Sequence, residues 1–119
     1  MPIYSFTHCR AVSAEQKQEV ASAVTKIHCD ATGAPAQYVQ VVFRKVEAGD
    51  AFTAGEKNDD FVALEAQIRP GRSEAVESNM LWELNDLMTR TFKPSKWFIS
   101  LGRFNSPHLI EDGKLLSAA

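Results

Sequence analysis

Residues 61–73, with the sequence FVALEAQIRPGRS, decide the fold because they contain a strand, a turn and the start of a helix in direct succession. Phe61–Arg69 is apolar and partly alternating, which predicts a strand, and Pro70-Gly71 predicts a tight turn. Ser73 is a good N-cap for the helix that follows. The apolar face of that helix contains, at helical spacing, Val76, Met80, Leu84, Leu87 and Met88.

The second half of the chain continues with a helix end and one more strand. The tetrad Lys93–Lys96 contains Pro94 and ends the helix, and Trp97–Leu101 predicts a strand. From Gly102 onward we expect loop and turn. Residues 61–101 therefore predict a β-α-β unit.

The first half of the chain has the same order of elements. Pro2–Thr7 predicts a strand, and Ser13 with Gln16 predicts a helix that opens with a capping box. Gly33 is a natural residue to end that helix, and Tyr38–Val46 predicts the next strand. The intervening helix carries small and apolar residues at helical spacing, namely Val20, Ala21, Val24, Ile27, His28 and Ala31.

The two units predict an α/β (α+β) fold in a single domain over residues 1–119. Glu47–Asp60 is a connection with room for a short hairpin. A helical crossover implies parallel strands within each unit, so we expect one four-stranded sheet with both helices on one face. The opposite face would then expose strand residues such as Val39, Val41 and Phe43, which predicts oligomerisation.

Composition excludes several classes of protein. The chain has 119 residues, 45% hydrophobic and 24% charged, which is typical of one globular domain. A net charge of −2 with scattered basic residues argues against nucleic-acid binding. The absence of a long apolar run and of a signal peptide predicts a cytoplasmic protein with no membrane contact.

Cysteine and histidine usage gives no sign of a metal centre. Cys9 and Cys29 are expected to be reduced thiols in the cytoplasm. The histidines, His8, His28 and His108, lie at spacings unlike those of known metal motifs. We therefore expect a protein without metal or cofactor.

A proline directly after Met1, at the head of a strand in a β-α-β chain, resembles the tautomerase superfamily. In that superfamily the initiator methionine is removed, and the free N-terminal proline is the catalytic group. The resemblance implies a homotrimer and a catalytic role for Pro2. A retained Met1 would convert the Pro2 nitrogen into an amide and abolish its basicity.

Further motifs are most similar to the cis-3-chloroacrylic acid dehalogenase group of that superfamily. Arg69 and Arg72 resemble the group's paired arginines, and His28 its substrate-binding histidine. Glu111 matches its water-activating glutamate. Ser100 stands where the group has a tyrosine, so we expect weak dehalogenation.

The same residue types suit binding and turnover of a small carboxylate. The planar guanidinium groups of Arg69 and Arg72 fit a carboxylate, and the start of the following helix favours negative charge. Glu111 can act as a general base and would favour the protonated Pro2 amine, whereas the arginines oppose that charge. This balance leaves open whether Pro2 works as acid or base.

Three functions remain compatible with the sequence. The leading hypothesis is a cofactor-independent enzyme that tautomerises 2-keto acids, or that hydrates or dehalogenates three-carbon unsaturated acids. A second is a partner-binding protein, because Ala31–Val39 is similar to a helix-to-strand junction of macrophage migration inhibitory factor. A third is a non-catalytic trimer.

Overall fold

The computed structural model describes residues 1–104 and 109–115. The first half contains β1 (Ile3–His8), α1 (Ala14–Thr32), a 3-10 turn (Ala36–Tyr38), β2 (Gln40–Lys45), β3 (Phe52–Thr53) and β4 (Glu56–Lys57). The second half contains β5 (Val62–Ile68), α2 (Glu74–Phe92), β6 (Trp97–Arg103), β7 (Ile110–Glu111) and β8 (Lys114–Leu115).

Four strands form one mixed sheet in the order β2-β1-β5-β6. Strands β1 and β2 are parallel, as are β5 and β6, whereas the central pair β1 and β5 is antiparallel. The predicted fold and the parallel pairing within each β-α-β unit are thereby confirmed. The antiparallel centre brings the start of β1 beside the end of β5, with Ile3 opposite Gln67.

Both helices begin at the predicted serine caps. The Ser13 hydroxyl accepts a hydrogen bond from the Gln16 amide, and the Gln16 side chain accepts one from the Ser13 amide, which completes the capping box. Helix α1 ends at Gly33, whose φ of 75° is the left-handed conformation that glycine adopts without strain. Helix α2 ends in the same way at Lys93, with φ of 46°.

One hydrophobic core lies between the sheet and the two helices. On the sheet side, Tyr4 and Phe6 of β1 and Leu64 of β5 are fully buried. The predicted apolar face of α2 contributes to this core with buried Met80, Leu84, Leu87 and Met88. Both helices therefore cover the same face of the sheet.

The prediction of an apolar outer face is wrong for the residues that carried it. Val41 and Phe43 pair in register with Tyr4 and Phe6, so they point toward the helices and pack against the core. Val39 ends the 3-10 turn and packs there as well. The alternate residues of the two central strands, which point outward, include Ser5, Thr7, Glu65 and Gln67.

Large exposed apolar side chains lie instead around strand β6 at the edge of the sheet. Trp82 of α2 is 67% exposed, and Trp97 and Phe98 of β6 are also exposed. The strand extends to Arg103, and the tail beyond it contains the hairpin β7–β8. The prediction of an entirely irregular tail is therefore wrong, while the connection Glu47–Asp60 contains the short hairpin β3–β4.

Neither helix offers a membrane-spanning segment. Within residues 1–104 and 109–115, no helix is both long enough and apolar enough to cross a bilayer.

Candidate active site

A cavity of about 390 Å³ opens where the start of β1 meets the end of β5. All the predicted site residues line it, namely Pro2, His28, Arg69, Arg72 and Glu111. The remaining lining residues, which are not among the predicted site residues, are Met1, Thr32, Gly33, Ala34, Pro35 and Tyr38.

Four separate parts of the fold supply these side chains, and Glu111 comes from β7. Pro2 precedes β1 and is anchored by its carbonyl, which accepts a hydrogen bond of 2.9 Å from the Gln40 amide. His28 lies in the last turns of α1, and the two arginines lie in the connection from β5 to α2. Because β1 and β5 are antiparallel, the N-terminal end of β1 lies beside the residues that follow β5. Sheet topology thus explains why residues far apart in sequence share one cavity.

The two arginines leave positive charge available to the cavity. Arg72 directly precedes the N-cap Ser73 and is half-buried, and its Nε is buried without a hydrogen-bond partner within the described part of the chain. In that part, neither Arg69 nor Arg72 forms an ion pair with a carboxylate. An unpaired buried donor costs free energy, which an oxygen of a bound anion would recover.

His28 is buried and pairs with a tyrosine of β1. The Tyr4 hydroxyl and His28 Nδ1 are 2.7 Å apart. Burial lowers the pKa of His28, and the positive charges of Arg72 and the N-terminus lower it further. Burial also raises the pKa of Tyr4, with a smaller contribution from Cys29. Both groups therefore favour their neutral forms at neutral pH.

Tyr4 was missed as a site residue because its sequence signal is that of a core residue. It alternates with Phe6 and His8 on the buried face of β1, a pattern that aromatic core residues share. The contact between the Tyr4 hydroxyl and His28 depends on how α1 packs over the sheet, which the sequence does not show.

Glu111 reaches the cavity from the hairpin at the end of the described chain. It lies on β7, opposite Lys114, and its side chain is 15% exposed. Its Oε1 forms an ion pair with the Met1 ammonium group. A carboxylate and the N-terminal cation are therefore in contact, while Met1 keeps the Pro2 nitrogen in an amide bond.

His8 and Ser100 do not line the cavity. His8 is buried, donates from Nδ1 to the Arg10 carbonyl at 2.8 Å, and packs against aromatic rings outside the cavity. His108 lies outside the described residues. Ser100 is exposed on β6 opposite Glu65, which places it on the outward face of the sheet. Tyr38 is the tyrosine among the residues that line the cavity.

The described residues include no cluster suited to a metal ion. Within residues 1–104 and 109–115, no group of three or more histidine, cysteine, aspartate or glutamate side chains could hold one. The site consists instead of cationic donors, one carboxylate and the N-terminal segment.

A sheet covered on one face by two helices, with cationic groups around a proline at position 2, is typical of a tautomerase-type protein. The family described as "Putative oxalocrotonate tautomerase enzyme" matches residues 1–97, and the chain belongs to this family within the tautomerase superfamily. The match includes Pro2, His28, Arg69 and Arg72, whereas Glu111 lies beyond it. No curated protein matches the chain.

Solved structures with the same fold include relatives at 27–29% identity. The crystal structure of native Ps01740 is 29% identical, with a TM-score of 0.86 over 92% of this chain and 99% of that chain. A crystal structure from the cis-3-chloroacrylic acid dehalogenase family is 27% identical, with a TM-score of 0.85 over 98% of this chain and 85% of that chain. A fused 4-OT symmetric trimer, 22% identical, has a TM-score of 0.84 over 98% of this chain and 99% of that chain, and shows the fold alone.

Proposed function

We propose that the protein is a cofactor-independent enzyme that uses Pro2, freed by removal of Met1, to act on small carboxylates. The observation that carries this proposal is the convergence of Pro2, Glu111, His28 and the two arginines in one cavity. Its proposed reactions are keto-enol tautomerisation of 2-keto acids, and hydration or weak dehalogenation of three-carbon unsaturated acids.

In this proposal the cationic wall of the cavity binds the substrate carboxylate. Arg72 offers a buried Nε that lacks a partner within the described residues, and Arg69 lines the same cavity. Both arginines lie in the connection that leads into α2, so the partial positive charge of the helix N-terminus adds to theirs. Neutral His28 contributes a hydrogen bond. These groups would also withdraw electron density from the reacting double bond as negative charge develops on the substrate.

Pro2 and Glu111 divide the proton transfers. In tautomerisation, the neutral Pro2 amine removes a proton from one substrate atom and returns it to another, between oxygen and carbon. In hydration, Glu111 takes a proton from water as its oxygen bonds to carbon, and protonated Pro2 gives a proton to the neighbouring carbon. The ion pair between Glu111 and the Met1 ammonium group supports this division, because that carboxylate lies beside the N-terminal segment.

The cavity wall favours tautomerisation of a 2-keto acid with an apolar substituent, such as phenylpyruvate. Ala34, Pro35 and Tyr38 line the side formed by the segment after α1. A three-carbon acid would leave most of the 390 Å³ to water. Ser100 lies opposite Glu65 and is not among the residues that line the cavity, which is consistent with weak dehalogenation.

The decisive experiment uses protein whose intact mass shows loss of Met1, assayed with phenylpyruvate enol and with acetylenic and halogenated acrylates. Pro2→Ala is expected to lower every activity by roughly 10²- to 10⁴-fold, the usual contribution of a general acid-base group. Glu111→Gln is expected to remove hydration and dehalogenation and largely to spare tautomerisation. Pro94→Ala, at the end of α2, and Glu56→Gln, on the exposed strand β4, are matched controls.

Each alternative function gives a different outcome. Full activity in Pro2→Ala would contradict the proposal, and equal loss of both activities in Glu111→Gln would contradict the division of roles. A folded, Met1-free protein inactive on every substrate would favour the partner-binding or non-catalytic alternatives.

The proposal includes a homotrimer located in the cytoplasm. Its support is the exposed aromatic cluster of Trp82, Trp97 and Phe98 at the sheet edge, and the structural similarity to fused 4-OT trimers. Burial of such side chains between subunits is favourable at about 25 cal/mol per Å². Light scattering at micromolar concentration is expected to give the mass of three chains. A monodisperse monomer would contradict the prediction.

A further inference from the structure

The buried pair formed by Tyr4 and His28 connects the core to the cavity. Tyr4 is fully buried, and His28 is 2% exposed while its side chain lines the cavity. The two rings meet edge to face, with centroids 5.7 Å apart and planes inclined by 79°. Burial of both side chains thus holds the Tyr4 hydroxyl and His28 Nδ1 in contact at 2.7 Å.

The hydrogen-bond donors and acceptors of Tyr4 and His28 determine which atom carries the shared proton. A neutral imidazole has one N–H donor and one acceptor nitrogen, and a phenol has one O–H donor. Within the described residues, His28 Nδ1 is the hydrogen-bond partner of the Tyr4 hydroxyl. If Nδ1 carried a proton, the buried O–H of Tyr4 would lack an acceptor, which is costly in a dry environment. Tyr4 therefore donates, Nδ1 accepts, and the ring proton is on Nε2.

This tautomer suits an anion site that already contains two guanidinium groups. A neutral ring with Nε2–H donates a hydrogen bond without adding a third positive charge beside Arg72. The other tautomer would present a lone pair on Nε2, which repels a carboxylate or carbonyl oxygen.

We infer that Tyr4 is a positioning residue that holds neutral His28 in the Nε2–H tautomer, so that the ring offers a hydrogen-bond donor to an oxyanion in the cavity. The tautomer follows from the structure alone, whereas its consequence for turnover rests on the proposed function. Tyr4 acts through His28 and not on the substrate.

Nitrogen NMR of protein labelled in its histidine rings tests the tautomer without any activity assay. Above neutral pH, His28 is expected to show an unprotonated Nδ1 and a protonated Nε2, with its signals assigned by their loss in His28→Gln. His8 is an internal control in which the other ring nitrogen is protonated, because its Nδ1 donates to the Arg10 carbonyl. A proton on Nδ1 of His28 would overturn the inference.

The variant Tyr4→Phe tests the positioning role, since it removes one oxygen and keeps the ring. The Nδ1 signal of His28 is expected to move toward that of a nitrogen without a hydrogen bond. The KM for phenylpyruvate is expected to rise about threefold to tenfold, the range for loss of one buried hydrogen bond, with kcat changed less. An unchanged Nδ1 signal and an unchanged KM would overturn the role.

The proposed function and the inferred tautomer of His28 can be disproved independently of each other. Full activity of the Pro2→Ala variant would contradict the proposed function. The NMR spectrum of His28 would still show which tautomer is present. If Tyr4→Phe does not fold, the spectrum of the unaltered protein still decides it.

Discussion

The two strand-to-helix connections of this protein have the same length and cap but different chemistry. Helices α1 and α2 begin at Ala14 and Glu74 and end at Thr32 and Phe92, a shift of 60 residues at both ends. With that shift, Arg72 of the second connection corresponds to Val12 of the first. Val12 packs against the core, whereas Arg72 lines the cavity.

The arginines of the two connections also differ in their partners. Arg10 donates to the Phe92 carbonyl at the end of α2 and forms an ion pair with Asp60, so its charge is compensated within the fold. Arg72 has no such carboxylate partner in the described chain. An arginine held in an ion pair joins elements together, and one without an ion pair at a cavity is available to a ligand.

The pair Tyr4 and His28 of the first unit also differs from the corresponding residues of the second unit. The shift of 60 residues aligns these two with Leu64 and Met88, both fully buried. One unit therefore carries buried side chains with polar groups where the other carries buried apolar side chains. The architecture is duplicated, but the candidate site uses different positions from each copy.

The largest expected effect is on stability, at the apolar counterpart of Tyr4. Leu64→Ala removes a fully buried side chain from the central strand β5 and should lower the free energy of unfolding by about 2–5 kcal/mol. Urea denaturation measures this change. Gln67→Ala, on the outward face of the same strand, is the matched control and should change stability by less than about 0.5 kcal/mol. Equal effects would contradict the assignment of the two faces.

A smaller effect should separate the arginines by function. Arg72→Ala is expected to lower kcat/KM on a carboxylate substrate by an amount equivalent to about 2–4 kcal/mol, as for a charge-assisted contact. Arg69→Ala is expected to act in the same direction. Arg10→Ala should leave kcat/KM unchanged and lower stability by about 1 kcal/mol, since its ion pair is partly exposed. Steady-state kinetics and denaturation on all three variants provide the test. If Arg69→Ala and Arg72→Ala both keep full kcat/KM, the anion site is disproved.

The smallest expected effect is the pH dependence of stability that His28 contributes. The pKa of His28 is lowered by burial, then by Arg72 and the N-terminus. The unfolded chain takes up a proton near the ordinary histidine value of about 6.5, and the folded chain does so only at lower pH. Folding stability should therefore fall as the pH decreases below about 6.5, until the folded pKa is passed.

The variant His28→Met, which copies Met88 of the second unit, should remove that slope. Urea denaturation of both proteins across this pH range measures the difference. Parallel curves for the two proteins would show that His28 does not contribute.

The elements that were predictable from sequence are those with local signals. Ser13, Gln16 and Gly33 determine the bounds of α1 through capping, and Ser73 begins α2 in the same way. The strand-helix-strand order then fixes the parallel pairs. The family resemblance, rather than the spacing, brought Pro2, His28 and Glu111 together as one site.

Features that depend on register were not predictable. The faces of Val41 and Phe43 follow from their pairing with Tyr4 and Phe6, which a sequence does not specify for a strand that is apolar throughout. The hydrogen bond from Tyr4 to His28 and the unpartnered Nε of Arg72 depend on how the helices lie over the sheet. Tertiary packing, not local propensity, determines them.

The strand order has a consequence for how the chain folds during synthesis. Strand β1 lies between β2 and β5, and β5 follows it by more than fifty residues. When residues 1–45 have emerged from the ribosome, they can form only two strands and one helix, and one edge of β1 is unpaired. The Tyr4 and Phe6 side chains then lack the cover that α2 provides in the finished core. Cooperative folding therefore waits for the second unit, and the nascent first unit is the species that a chaperone would meet.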